Sequence, residues 1–194
     1  MARPPRFDKD QFLDAAVRLA AASGPSGVTM SAVAQEVGAP SGSVYHRFPG
    51  RPALLAEVWL RTVGRFQDGF LRALASDPSG GAAARHVVAW SRTHPAEAAL
   101  LLYGPEDFGR ADWSEEHRDR AHRGNRQVRL ALTGLARARG AEGPRALEKA
   151  ALALVDLPLS LVRRHLRAGT PLPRHAEDLA EECAKSLLPG PEPG

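Results

Sequence analysis

Histidine, serine and cysteine side chains are the groups in this 194-residue chain that could perform catalytic or metal chemistry, and their spacing suits neither. His117 and His122 are five residues apart, whereas a helical zinc-protease motif needs two histidines four apart with a glutamate between them. Ser26 lies in a loop-like stretch without the glycine spacing, or the preceding strand, of a nucleophile elbow. Cys183 is the only cysteine, which excludes an intrachain disulfide and a cysteine-based metal cluster. We therefore expect no catalytic site, no metal and no cofactor.

A run of small and polar side chains suits contact with a nucleic acid. Ser41, Gly42 and Ser43 are followed by Tyr45 and His46. A helix that enters the DNA major groove does so with its N-terminal residues against the base edges, so these residues should be small or polar. Glycine in a first helical turn costs up to about 1 kcal/mol of helix propensity, which makes sense where the helix end must approach a phosphate or base closely. The run predicts a DNA-reading helix.

Two short predicted helices and a turn would position this run. Thr29 can cap a helix that continues to about Val37, and Gly38 suits the position just after its C-terminus. After a turn through Pro40, a second helix of about two turns ends near Arg47. These are the dimensions of a helix-turn-helix motif.

The motif needs a core that holds the second helix in place. Val44 and Phe48 are four residues apart and therefore lie on one helical face. We expect them to pack against Phe12 and Val17 of a preceding helix over residues 8–23, as core residues and not as DNA contacts.

The whole chain is predicted to be all-α. It has no isoleucine and few threonines, so β-branched residues are too scarce for a strand-rich fold. Glycine and proline positions divide it into about nine helices, at about 8–23, 29–37, 40–47, 52–75, 82–93, 95–103, 112–139, 144–168 and 174–188. Pro158 lies within the eighth helix and is expected to kink it.

Length and composition are typical of a soluble globular protein. Hydrophobic residues make up 43% of the chain and charged residues 25%, with a net charge of +4. There is no run of about 20 predominantly apolar residues, and Asp8, Asp10 and Asp14 interrupt the place where the apolar core of a signal peptide would lie. We expect a soluble, cytoplasmic protein.

Residues 8 to about 60 resemble the N-terminal domain of TetR-type (TetR/AcrR) transcriptional regulators. The spacing of glycine, aliphatic, aromatic and basic residues in that family is met by Gly38, Gly42, Val44, Tyr45, Phe48, Arg51 and Leu54. The chain departs from the family at Pro40, where a capping serine is frequent, and at Arg51, where lysine is most frequent. Pro40 affects where the second helix of the motif begins, and Arg51 keeps the positive charge of the usual lysine.

The resemblance also implies roles for individual side chains. Phosphates would be held by Thr29, Tyr45, His46 and Arg51, and base edges would be faced by Ser31, Ser41, Gly42 and Ser43, with Tyr45 a candidate for both roles. Arg3 and Arg6 could extend this surface as a basic arm, or could simply be solvated.

Beyond residue 60 the resemblance is one of architecture. It implies a helix-turn-helix domain at 1–50 and a helical regulatory and dimerisation domain at 51–188, followed by a tail at 189–194 whose composition predicts disorder. The expected protein is a homodimeric repressor that an unidentified small-molecule effector releases from a palindromic operator in double-stranded DNA. Apolar stripes on the last two helices favour the dimer: Leu147, Ala151, Leu154 and Leu161, then Leu179, Cys183 and Leu187.

Aromatic residues are the candidates for an effector cavity, although aromatics at helical spacing more often form plain core. The six candidates are Phe66, Phe70, Trp90, Tyr103, Phe108 and Trp113. Two alternatives remain open from the sequence. One is an all-α ligand-binding or catalytic protein with an incidental helix-turn-helix, and the other is a DNA-binding regulator without a small-molecule effector.

Overall fold

The computed structural model describes residues 7–189, which form nine α-helices and no strand. The helices are α1 Lys9–Ser23, α2 Met30–Val37, α3 Ser41–Tyr45, α4 Arg51–Ser76, α5 Gly81–Thr93, α6 Pro95–Leu100, α7 Glu115–Ala138, α8 with the consecutive segments Pro144–Ala151, Leu152–Asp156 and Leu157–Ala168, and α9 Ala176–Leu187. Short 3₁₀ turns occupy Pro25–Gly27 and Arg110–Asp112. The predicted all-α fold class is confirmed.

Two predictions fall at the termini. The basic arm at Arg3 and Arg6 lies outside the described residues, as does the tail from residue 190 onward. Within the described range, no helix has both the length and the apolar character needed to cross a membrane.

Side-chain capping explains where α1 begins. The backbone N–H of Gln11 donates to the Asp8 carboxylate at 2.8 Å, and the Asp8 N–H donates to the Gln11 side chain at 3.0 Å. This reciprocal pair is a capping box, which satisfies two N–H groups that have no partner within the helix. Of the aspartates near the predicted start, Asp8 is therefore the cap.

The eighth helix passes Pro158 without ending. A proline within a helix lacks the N–H donor, and its ring collides with the carbonyl four residues earlier, here that of Leu154. The segment immediately before it, Leu152–Asp156, is π-helical, and a wider turn accommodates a residue that cannot make the usual bond. The sequence predicts a kink at Pro158, and the structure shows a π-helical turn there.

The described residues form two compact units. The first contains the chain up to Val63 together with Ala99–Ala121, and the second contains Gly64–Ala98 together with the chain from His122 onward. The helices α4 and α7 each contribute residues to both units. This division by compactness does not test the predicted functional boundary at residue 50, which stays a prediction.

Large apolar side chains from α1 to α4 form the core of the first unit. Phe12, Val33, Val44, Phe48 and Leu54 are each at most 1% exposed. The structure thus places Val44 and Phe48 in the core, as their spacing predicts.

In the second unit, charged clamps hold α9 against α5. The Arg92 guanidinium donates to both carboxylate oxygens of Glu177 at 2.7 Å and to the backbone carbonyls of Leu172 and Pro173, also at 2.7 Å. The hydrogen bond from Arg92 holds the pKa of the Glu177 carboxyl below its ordinary value. This clamp fixes the N-terminal end of α9 and the loop before it.

Candidate nucleic-acid interface

The first helix of the motif has the boundaries that the sequence predicts. Thr29 is its N-cap, and the Thr29 hydroxyl accepts a hydrogen bond from the Ala32 N–H at 3.1 Å. Gly38 follows its last residue with φ +70° and ψ +29°, a left-handed conformation that favours glycine. Both capping predictions are confirmed.

The second helix, α3, is shorter than the two turns expected. Its N-cap is Pro40, whose carbonyl accepts a bond from the Ser43 N–H at 2.9 Å and whose side chain offers no cap. The helix ends at Tyr45, and His46 and Arg47 continue as a turn that bonds back to Gly42 and Val44. Pro40 therefore supports the first turn of α3 through its backbone alone.

The two faces of α3 differ sharply in exposure. Val44 is 0% exposed, whereas the adjacent Tyr45 is 58% exposed. Exposed positions include most of the predicted DNA contacts, namely Thr29, Ser31, Ser41, Gly42, Tyr45, His46 and Arg51, and Ser43 is half-buried. The core face thus holds the helix while its other face meets solvent.

Gly42 has no structural reason to be glycine within this chain. It does not have a positive φ, and a Cβ built on it would meet no atom within 4 Å. The intrachain packing therefore does not require the missing side chain. The predicted reason, close approach of the helix end to DNA, stays a prediction that this observation favours.

Arg51 makes hydrogen bonds within the chain that its place in the sequence motif does not predict. Its Nε donates to the carbonyl of Val28 at 2.7 Å, and its Nη2 donates to the carbonyl of Pro25 at 2.9 Å. These bonds tie the first residue of α4 to the 3₁₀ turn before α2. Because the partners are backbone carbonyls more than 20 residues away, no side-chain motif in the sequence could have indicated them.

Replacing Arg51 by alanine should lower the free energy of unfolding by about 1–3 kcal/mol, since two partly buried carbonyls would be left without their charged donor. If Arg51 also holds a phosphate, the slope of log affinity against log salt should become shallower by about 0.9 for each phosphate that the variant no longer neutralises. Urea denaturation and DNA titration at several salt concentrations measure the two effects separately.

Arg47→Ala is the matched control, because within residues 7–189 the Arg47 guanidinium bonds only the Phe7 carbonyl, at 3.4 Å. It should leave the stability almost unchanged. If Arg51→Ala lowers the stability but does not alter the salt slope, Arg51 positions α4 and does not bind phosphate.

The six aromatic candidates for an effector cavity fall into both compact units. The second unit holds Phe66, Phe70 and Trp90, and the first holds Tyr103, Phe108 and Trp113. All are buried except Tyr103, which is 39% exposed. The Phe66 ring lies edge-on to Trp90 at 5.4 Å, and the Trp113 ring is tilted against Trp59 at the same distance. Their role in binding a ligand stays a prediction.

A groove of about 260 Å³ lies between α8 and α9 in the second unit. Its lining residues are Leu157, Pro158, Ser160, Leu161, Arg164, Leu179, Ala180 and Cys183, and none of the six aromatics is among them. Three members of the predicted dimer stripes, Leu161, Leu179 and Cys183, do line it. Residues that could ligate a metal are not clustered here or elsewhere in the described chain.

One residue of the predicted dimer stripe, Leu154, is buried in the core and does not lie on an exposed face of α8. Leu154 is 0% exposed and lies against Gly80, so it belongs to the core of the second unit. The exposed leucines of α8 are Leu152 and Leu157, at 44% and 39%. Leu154 lies inside the π-helical segment Leu152–Asp156, whose wider turn advances each residue by less than the roughly 100° of a regular α-helix. A stripe drawn at regular helical spacing therefore points to the wrong side at this position.

The comparison with protein families agrees with this arrangement of α1 to α4. Residues 12–58 match the family model described as bacterial regulatory proteins, tetR family. This N-terminal part of the chain is similar to TetR-type regulators. The matched range contains α2, α3 and the first turns of α4, and so includes every predicted DNA contact.

Solved structures share the fold of this chain over nearly its full length. A TetR-family regulator, PfmR, from Thermus thermophilus is 21% identical with a TM-score of 0.67, and the alignment covers 98% of this chain and 100% of that one. A putative tetR-family regulator from a Shewanella species is 20% identical with a TM-score of 0.70, covering 94% and 96%. FadR from Bacillus subtilis, solved with stearoyl-CoA, is 15% identical with a TM-score of 0.69, covering 94% and 99%. A search of curated proteins found no match.

Proposed function

We propose that this chain is a TetR-type regulator: a cytoplasmic, homodimeric transcriptional repressor that a small molecule releases from a palindromic DNA site, and not an enzyme. The observation that carries DNA binding is the exposed face of α3, where Tyr45 is 58% exposed beside the fully buried Val44. A helix held from behind by core residues, with small and polar side chains in front, suits insertion into a major groove. Residues 1–50 would form the DNA-binding domain, and 51–188 the regulatory and dimerisation domain.

The proposed contacts divide by chemistry. Thr29, Tyr45, His46 and Arg51 would hold phosphates with hydroxyl, imidazole and guanidinium groups, and such contacts position a protein on DNA without reading sequence. Ser31, Ser41, Gly42 and Ser43 would face the base edges. The Arg51 guanidinium already donates to the carbonyls of Val28, Pro25 and Ser26, so a phosphate contact would use its remaining N–H donors.

The proposed dimer uses the groove of α8 and α9. Leu157 and Leu179, 39% and 40% exposed, border it, and such apolar surface is usually covered in the functional state. A two-fold axis would pair α8 and α9 with the same helices of a second copy as a four-helix bundle.

The proposed effector acts through linkage between ligand and DNA. Helix α4 contributes residues to both compact units, so a ligand beside it could shift the reading helices. Two reading helices must sit about 34–36 Å apart to enter successive major grooves, so small shifts suffice. A coupling free energy of about 1–3 kcal/mol would change DNA affinity about 5- to 150-fold. The FadR structure with stearoyl-CoA supports the idea that this fold accommodates a small molecule.

Selection of binding sites from random duplex DNA tests the proposal. We expect recovery of a palindromic sequence, and we expect Ser43→Ala to change base preference more than overall affinity. Ser76→Ala, an exposed serine at the end of α4, is the control and should change neither. Failure to enrich any sequence over the starting pool would refute sequence-specific DNA binding.

A further inference from the structure

A long segment without α-helix packs in the same unit as the first half of α4. Residues 101–114, which we call the strap, consist of turns and the 3₁₀ turn Arg110–Asp112. Segments of this length without regular structure are uncommon in compact domains and are usually functional. The strap is well buried at Phe108 and Trp113, which are 0% and 2% exposed. The strap is therefore packed into the first unit through these two side chains and is not a fully solvated loop.

The strap contacts α4 through a pair of tryptophans, of which one has a hydrogen-bonded indole N–H and the other does not. The rings of Trp59 and Trp113 lie 5.4 Å apart. The Trp113 indole N–H donates to the Phe108 carbonyl at 2.9 Å, as a buried indole normally must. The Trp59 ring is 7% exposed, yet its indole N–H is buried and has no hydrogen-bond partner.

A second unpartnered polar atom lies one helical turn further along α4. Thr62 is 1% exposed, and its hydroxyl oxygen also has no partner. Five other helical hydroxyls bond back to a carbonyl of the preceding turn, namely those of Ser76, Ser91, Thr93, Thr133 and Ser186. Thr62 does not. Residues three apart share one face of a helix, so both unsatisfied atoms are on the same side of α4.

Buried polar atoms without partners are rare in folded proteins, because their desolvation is not compensated. Two on one helix face, beside an aromatic pair, have hydrogen-bonding capacity for a polar group of a ligand. An indole N–H can only donate, and a threonine hydroxyl can also donate. A carbonyl oxygen has two lone pairs and can accept both bonds.

The charged side chains near this site favour a neutral ligand. Glu57, two residues before Trp59, binds Arg120 at 2.8 Å, Lys9 at 3.2 Å and His117 at 3.4 Å. Burial alone would raise the pKa of the Glu57 carboxyl, but its bonds to Arg120 and Lys9 outweigh burial and lower that pKa. Arg120 and Lys9 are therefore engaged with an ionised carboxylate. Arg61 is paired with Asp10 and Asp14, and Arg118 donates to the Trp113 carbonyl. A buried anion would need a cation that is not already engaged in this way.

We propose that α4 and the strap form a binding site for a neutral, mostly apolar molecule with a carbonyl group, whose oxygen accepts hydrogen bonds from the Trp59 indole and the Thr62 hydroxyl. This inference rests on the proposed function, because it names the chemical class of the effector. It also places the polar end of the effector in the first unit, against residues that the sequence did not single out.

The first test uses the protein without any ligand. Thr62→Val keeps the shape of the side chain and removes the unsatisfied hydroxyl, so thermal unfolding should shift to higher temperature. The control Thr133→Val removes a hydroxyl that bonds the Arg129 carbonyl, and it should not raise the unfolding temperature. A lower unfolding temperature for Thr62→Val would mean that the hydroxyl is already satisfied and would overturn the proposal.

The second test uses two probes of similar shape, acetophenone and ethylbenzene, which differ in the carbonyl. Binding is followed by fluorescence of Trp59 and Trp113 in a Trp90→Phe background. We expect about tenfold preference for the ketone, as one or two hydrogen bonds would provide. Thr62→Val and Trp59→Phe should abolish that preference. Equal affinities, no binding of either probe, or a crystal structure with a permanent water on both atoms would overturn the site.

DNA selection and probe binding, measured on the same protein, distinguish a failure of this inference from a failure of the proposed function. If selection from random duplexes fails while the ketone preference depends on Thr62, the binding site stands and the repressor function fails. If a palindrome is selected and neither probe binds, the DNA-binding function stands and this site fails.

Discussion

Replacing Leu179 by aspartate should dissociate the dimer and weaken binding to a palindromic duplex by about 10²–10⁴-fold, because the two reading domains would no longer bind as one linked unit. Leu179 is 40% exposed and borders the groove of α8 and α9, so the charge should be tolerated in the monomer and buried only at an interface. Light scattering coupled to gel filtration gives the mass, and a DNA titration gives the affinity.

The control for Leu179 is another exposed leucine. Leu130 is 64% exposed on α7 and is not among the groove residues, so Leu130→Asp should leave both mass and DNA affinity unchanged. Leu154→Asp would not serve, since Leu154 is fully buried and a charge there would unfold the chain. A Leu179→Asp protein that keeps the dimer mass would place the interface elsewhere.

Replacing Phe48 by alanine should lower the free energy of unfolding by about 3–5 kcal/mol, a large part of the roughly 5–15 kcal/mol that stabilises a typical domain. Phe48 is 1% exposed, and its truncation would leave a cavity behind α3. DNA binding should weaken together with stability. Urea denaturation followed by circular dichroism measures the change.

Tyr45→Ala is the complementary variant, at the exposed last residue of α3. Because Tyr45 is 58% exposed, its truncation should change stability by less than about 0.5 kcal/mol while weakening DNA binding. If Tyr45→Ala and Phe48→Ala reduced stability to the same extent, the division of α3 into a core face and a contact face would be wrong.

Local signals made much of the fold predictable. The caps at Asp8, Thr29 and Gly38 act within a few residues of themselves, so the sequence places the boundaries of α1 and α2 accurately. Scarcity of β-branched residues predicted the all-α class, and the spacing of Val44 and Phe48 predicted their burial. The eight predicted DNA contacts could be named because they lie within one short motif, and all but the half-buried Ser43 are exposed.

Features that depend on distant residues were decided only by the tertiary structure. The Arg51 bonds join residues more than 20 positions apart, and the Glu57 cluster joins α1, α4 and α7. Leu154 lies within the π-helical turn before Pro158 and is buried in the core, because that turn departs from regular helical spacing. The unsatisfied atoms of Trp59 and Thr62 appear only when every neighbour is in place, since a missing partner is a property of the packed fold. Sequence determines short-range periodicity and capping; three-dimensional packing alone determines which distant groups meet.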